Sequence, residues 1–216
     1  MRYELIIFDW DGTLMNSVPK IVACMQAAAV DAEWDALSVS AIEDIIGLGL
    51  PEAIDKLCPG IGPVQAELLR QRYAHHFVHS DTTPMPFFEG VDAQIARLRQ
   101  REQQRLAVAT GKSRRGLDRV FAETGSGGWF DASRTADETR SKPHPQMLSE
   151  LLEELAIPVE RAVMVGDTEY DMEMARAIGM DRVAVTYGVH TPSRLALSQP
   201  RWVAHNISEL FDWLYG

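Results

Sequence analysis

A doubly wound, parallel α/β sheet with an inserted helical block is the fold class this chain predicts, on three observations. From Val91 onward, helical segments alternate with short apolar strand-like runs, the pattern of a parallel sheet covered by helices on both faces. A first strand-like run, Leu5 to Phe8, stands far ahead of the next one at Leu106. Between them, from Asn16 to about His79, the chain carries helical patterns and no convincing strand.

In chain order, Leu5-Ile6-Ile7-Phe8 is too short for a globular helix and rich in isoleucine, and the turn residues from Asp9 to Gly12 stop it. It reads as a buried strand entering a turn. Pro19 to Val30 is rich in alanine and unbranched apolar residues, with Pro19 suited to a helix's first turn. Ser38 and Ser40 are two possible N-caps ahead of Ile42, Ile45 and Ile46. Gly47-Leu48-Gly49-Leu50-Pro51 ends that helix, and Pro51 opens the next, with Ala53, Ile54 and Leu57 on one face. Pro63 to His79 reads as one longer amphipathic helix, and Pro84 to Gly90 as a stiff connector. Helices over 91–101, 113–123, 145–155, 169–178 and 208–214 then alternate with strands at 106–109, 132–136, 162–165, 183–185 and 202–204. The expected division is an α/β core of residues 1–15 and 84–216 and a helical cap of residues 16–83.

At 216 residues the chain suits one compact domain carrying an insertion. Its formal charge of −10 argues against a nucleic-acid surface, which needs a basic stripe. A small phosphorylated substrate is compatible with that charge, because a local metal and a lysine reverse the sign inside a pocket. Cys24 and Cys58 are isolated and lie in apolar helical surroundings, so they read as buried thiols of a cytoplasmic protein. Arg2 is followed too soon by Glu4 and Asp9 for a signal peptide, and no apolar run approaches a membrane span. Nothing in the pattern specifies an oligomeric state.

Four strand ends carry the chemistry. Asp9 and Asp11 lie one residue apart at or just past the end of the first strand, on the same side of it. Carboxylates so close repel, and they persist only if a cation neutralises them or one keeps a proton. Either outcome suits phosphoryl chemistry, although Asp-x-Asp-Gly is also ordinary turn composition. Leu106 to Ala109 stops at Thr110-Gly111-Lys112-Ser113, where a hydroxyl and backbone N–H groups can receive a phosphate, or where Thr110 simply begins a connection. Lys142, stiffened by Pro143 and Pro145, is either a phosphate's counter-charge or one surface lysine among many. Asp167 ends a buried strand at Gly166-Asp167, and Asp171 follows one helical turn later on the same face. Such acids are often helix caps, but here they also suit an oxygen-rich Mg²⁺ site.

Taken in this order, Asp9-Trp10-Asp11-Gly12-Thr13-Leu14, Thr110, Lys142-Pro143 and Gly166-Asp167-x-x-x-Asp171 resemble the haloacid-dehalogenase-like superfamily over essentially the whole chain. Within it the likeness is to phosphatases with a helical cap, of the phosphoglycolate-phosphatase and β-phosphoglucomutase type. The resemblance implies a Mg²⁺-dependent phosphatase acting on a small phosphorylated metabolite. Asp9 would be the nucleophile and Asp11 the proton carrier, with Thr110, Gly111 and Lys142 holding the phosphoryl group. Asp9, Asp167 and the backbone carbonyl of Asp11 would hold the metal, and Asp171 would orient its surroundings. Asp11 favours phosphate monoesters, because relatives that cleave carbon–halogen bonds or phosphonates lack the second acid. Gly47, Leu48 and Gly49 resemble the family's substrate-specificity loop and also satisfy a plain helix terminator.

Two departures bear on this reading. Relatives commonly have Asp-Ser where this chain has Asn16-Ser17, which bears on cap hinging or substrate contacts. No histidine follows soon after Asn16, which disfavours the alternative of a phosphosugar mutase. Trp10 suits core packing. His75, His76 and His79 share a helical face but lack an acidic or cysteine partner nearby in sequence, so a solvated or packing face is expected rather than a metal site. A phosphoacceptor receiver module is the remote alternative, argued against by the motif order and the helical block.

Overall fold

The computed structural model describes residues 3–216; Met1 and Arg2, the start of the expected core segment 1–15, lie outside the described residues. Among the described residues six parallel strands form one sheet in the order β3-β2-β1-β4-β5-β6. They are β1 (Leu5–Phe8), β2 (Arg105–Thr110), β3 (Ala132–Thr135), β4 (Ala162–Gly166), β5 (Asp181–Val185) and β6 (Trp202–Ala204). The order reverses between β1 and β4, so the crevice beyond their C-terminal ends is the place where such sheets bind ligands.

Strand alternation sorts the core into two layers. Ile6, Phe8, Leu106, Val108, Val163 and Val165 face one side and pack with α5 (Val91–Arg99), α6 (Arg114–Thr124) and α10 (Ile207–Tyr215). Leu5, Ile7, Ala107, Ala109, Ala162 and Met164 face the other, against α7 (Gln146–Leu155) and α8 (Glu169–Arg176). Trp10 is buried in the first layer, edge-on to Phe87, Phe121 and Phe130.

The helical block comprises α1 (Val18–Asp31), α2 (Val39–Ile45), α3 (Leu50–Leu57) and α4 (Pro63–His75), which bury a separate cluster containing Ile21, Met25, Ile42, Ile46, Ile54, Cys58 and Leu69. Of the two serines, Ser38 is the cap, its Oγ accepting the Ala41 N–H at 3.1 Å. The chain leaves and re-enters the sheet through one neck. There the Asn16 N–H donates to Pro86 O at 2.8 Å and the Phe88 N–H to Leu14 O at 3.0 Å. Asn16 is exposed at this neck.

Local expectations differ in three places. The expected helix over 63–79 ends at His75 and continues as one π turn over His76–Ser80. His76 meets an acid that the sequence spacing hides: its Nε2 lies 2.9 Å from Asp31 Oδ2 on α1, and the histidines join no metal-ligand cluster among the described residues. The short α9 (Pro192–Ala196) was not expected, five residues being too few to show a period. Cys24 and Cys58 are buried free thiols, and no described helix is long and apolar enough to cross a membrane.

Candidate active site

Strand register sets the site. Phe8 pairs with Val108 on one side and Val165 on the other, so Asp9, Thr110 and Asp167 all leave the sheet at nearly one level. The Asp9 N–H still donates to Val165 O at 2.9 Å, which fixes its backbone as a strand extension. Asp9, Asp167 and Asp171 each offer a carboxylate oxygen within 4.8 Å of the others, all three buried.

Lys142 reaches this cluster from the loop before α7, after which comes a cis peptide bond to Pro143. Its side chain is wholly enclosed, and Nζ donates at 2.6 Å to both Asp9 Oδ1 and Asp171 Oδ1. It is therefore not a surface lysine. Burial opposes its charge, yet Asp171 and Asp9 hold its pKa above that of an ordinary lysine.

Each acid is held differently. Asp171 closes a capping box on α8: its Oδ2 accepts from the Thr168 N–H at 3.2 Å and from Thr168 Oγ1 at 2.6 Å. Asp171 thus caps the helix through Oδ2 and meets Lys142 through Oδ1. Asp167 Oδ1 accepts from Thr13 Oγ1 and Oδ2 from the Val189 N–H, both at 2.9 Å. Asp9 Oδ2 is buried and has no hydrogen-bond partner. Burial pushes the Asp9 carboxyl well above the usual range, and Asp171 and Asp167 add to that against the pull of Lys142. Asp167 is pushed up to about 7, first by burial and then by Asp171.

Three carboxylates sharing one lysine leave an excess of negative charge in a water-poor site. A hard divalent cation with oxygen ligands fits that excess, and Asp9, Asp167 and Asp171 are the residues that could hold it.

Asp11 diverges from Asp9. Its carboxylate stands outside the cluster and has its own cation, with Lys112 Nζ at 2.8 Å and Ser17 Oγ at 2.5 Å on the same Oδ1. The two repelling acids are thus separated, each with a lysine. Thr110 is buried, and its Oγ1 accepts the Lys112 N–H at 3.2 Å, shaping the turn that carries Gly111 and Lys112.

The loop of Gly47, Leu48 and Gly49 lies against this turn. A Cβ on Gly111 would come within 2.5 Å of Leu48 O and 2.6 Å of Gly47 O, so only glycine admits the approach. On the far side, Arg194 of α9 pairs with Glu169 of the core at 2.6 Å and with Asp44 of α2. Lys56 joins Asp44 at 2.9 Å and the Tyr170 hydroxyl at 2.6 Å.

Sequence reasoning missed Lys112, Ser17, Thr13 and two glycines. Gly12 has φ +85°, and a Cβ there would lie 2.3 Å from Asp167 Oδ2; one on Gly188 would lie 2.1 Å from it. The Gly-Thr after Asp11 was the available signal for Gly12 and Thr13; Gly188 has none, because its role is only to be small.

Comparison with known proteins follows the same lines. Residues 6–185 match the family model described as "Haloacid dehalogenase-like hydrolase". "Probable phosphatase IndB" of Dickeya dadantii is 31% identical over 212 residues, covering 95% of this chain and 91% of that protein. A phosphoglycolate phosphatase of Pectobacterium atrosepticum is 28% identical over 210 residues, covering 95% and 89%. The crystal structure of a hydrolase from Pseudomonas syringae superposes with a TM-score of 0.85 at 22% identity, over 97% of each chain, a likeness of fold.

Proposed function

Because this chain belongs to the haloacid dehalogenase-like hydrolase family, we propose that it is a Mg²⁺-dependent phosphatase hydrolysing a small phosphate monoester through an aspartyl-phosphate on Asp9. The observation that carries this reading is Asp9 itself. One of its oxygens is held by Lys142, and the other is buried without a partner at the sheet's switch point. The phosphoglycolate phosphatases among its relatives support a small organic phosphate as substrate.

Asp9 Oδ2 forms a bond to phosphorus while the ester P–O bond breaks, its electron pair passing to the alcohol oxygen. Asp11 gives that oxygen a proton, then takes one from the water that attacks the phosphorylated Asp9. The P–Oδ2 bond breaks, and inorganic phosphate and free Asp9 result. Thr110, the Gly111 N–H and Lys142 hold the phosphoryl oxygens, the positioning and charge stabilisation that dominate such reactions. Mg²⁺, when bound, would supply the positive charge that lets a phosphate dianion approach an acidic cluster. Asp9, Asp167 and the Asp11 carbonyl would hold it, with Asp171 orienting Lys142 and the site around it. Residues 16–83 act as the cap that admits substrate and excludes water, with the Gly47–Gly49 loop closing on Gly111.

The test is phosphate release from a panel of phosphorylated metabolites with Mg²⁺, with excess EDTA, and with Asp9→Asn. Turnover that needs Mg²⁺ and Asp9 is expected. Full activity after chelation overturns the metal assignment, and substantial turnover by Asp9→Asn overturns the nucleophile. An isomerised sugar phosphate in place of free phosphate would assign a mutase instead.

A further inference from the structure

Between the helical block and the core lies a cavity of about 590 Å³, with Asp11 and Lys112 at one end. Its size falls amid the roughly 300–1,000 Å³ of pockets that enclose drug-sized ligands. A two-carbon phosphate held at Asp9 would leave most of it filled with water.

The walls are apolar in the middle. Ile21, Met25 and Ile46 line it together with Tyr73 and Phe77, whose ring centroids are 5.7 Å apart. The Phe77 ring also meets the Lys112 ammonium, 5.2 Å from its centroid, so aromatic wall and catalytic end are continuous. To the same cavity α6 contributes Arg115 and Arg119, one helical turn apart. Among the described residues neither has a side-chain hydrogen bond or ion pair, although the chain carries a net charge of −10 and the adjacent Arg114 binds both Asp118 and Glu138. Of the acids lining the cavity, Asp11 is held by Lys112 and Ser17, and Asp137 by Thr135 and the Arg114 N–H, leaving Glu52.

The geometry points to a substrate class: a phosphate monoester of an apolar, ring-bearing alcohol that ends in a second anionic group. The ester phosphate sits at Asp9 and Lys142, the ring lies against Tyr73 and Phe77, and Arg115 and Arg119 bind the distal anion. This rests on the phosphatase reading of the site and narrows it. A buried ring gains from the apolar wall what a two-carbon chain cannot, and a carboxylate gains charge-assisted hydrogen bonds from guanidinium groups that are in no ion pair.

The experiment compares three alkyl esters of similar leaving-group demand: 4-carboxybenzyl phosphate, benzyl phosphate and phosphoglycolate. Steady-state kinetics with Mg²⁺ are paired with calorimetric binding of the same esters to Asp9→Asn. The carboxybenzyl ester should exceed each of the others about tenfold or more in kcat/KM and in affinity. With Arg115→Gln/Arg119→Gln, its advantage over benzyl phosphate should collapse towards one, through KM. Hydrolysis that favours phosphoglycolate, or an advantage that survives the double substitution, overturns the proposal while leaving the phosphatase standing. No hydrolysis of any ester, with the tenfold binding preference intact, overturns the phosphatase reading and leaves the pocket assignment.

Discussion

Gly49 and Ser141, 92 residues apart, are joined by a hydrogen bond in which the Gly49 N–H donates to Ser141 Oγ at 2.7 Å. One end is the loop between α2 and α3, and the other is the residue before Lys142. The position of this loop and the placement of Lys142 are thereby coupled through one hydroxyl.

Ser141→Ala leaves the Gly49 N–H without its acceptor in a buried position, at a cost of about 1–3 kcal/mol to the closed contact. Hydrogen exchange at Gly49 should quicken about tenfold or more, since about 1.4 kcal/mol is a factor of ten. Global stability should change less, because the sheet core does not use this bond. Unchanged exchange at Gly49 would show that the loop is held by other contacts.

Much of this arrangement was legible beforehand, for reasons that lie within single segments. Alternation in β1, β2 and β4 is complete, and each strand stops at a residue of opposite character: Asp9, Thr110 or Asp167. β3 has the least apolar pattern of the six because it is a sheet-edge strand whose Ala132, Ser133 and Arg134 are only half-buried. The pairings of Asp11 with Lys112 and of His76 with Asp31 were hidden because each joins elements that only the fold brings together. Lys142 was legible as a charge but not as a buried one: Pro143 and Pro145 show stiffness, whereas enclosure comes from Asp9 just after β1 and Asp171 on α8.

Lys142→Met should be far more damaging than loss of an exposed lysine. It removes the cation from a group of three buried carboxylates, and breaking a buried pair costs about 3–5 kcal/mol. The acids can relieve the repulsion by taking up protons, so the loss should be greater at pH 8 than at pH 5. Urea unfolding at the two pH values measures it, and an equal loss at both would mean that the carboxylates are not charged at pH 8. Turnover should vanish at either pH.

The metal-free protein should lose stability as pH rises. Asp167 titrates near 7 in the folded protein against about 3.9 for an unfolded aspartate, so between those values the folded state holds the extra proton. The stability is present below about pH 4 and is lost as pH climbs through 7, with Asp9 acting in the same direction. Thermal melts in EDTA from pH 5 to 8 should show the fall, and Asp167→Asn should flatten it. Mg²⁺ competes with the same proton, so it should raise Tm more at pH 8 than at pH 5. A metal effect independent of pH would place the ion elsewhere.

Gly188→Ala tests a residue whose whole contribution is its lack of a side chain. The added Cβ would lie 2.1 Å from Asp167 Oδ2, 2.3 Å from its Cβ and 2.4 Å from its Cγ, so rotating the carboxylate alone cannot relieve the clash. Asp167 is fixed by the Val189 N–H next to this glycine and by Thr13, so the loop after β5 must retreat and its hydrogen bond to Asp167 must lengthen. Overpacking of this kind costs about 1–3 kcal/mol. The backbone at Gly188 does not need a left-handed conformation, so the cost is steric and should disappear once the whole Asp167 side chain, Cβ included, is removed. Gly188→Ala combined with Asp167→Gly should therefore be no less stable than Asp167→Gly alone, while Gly188→Ala by itself lowers Tm and weakens the stabilisation by Mg²⁺. Additive losses in the double variant would show that Gly188 serves the backbone rather than the carboxylate.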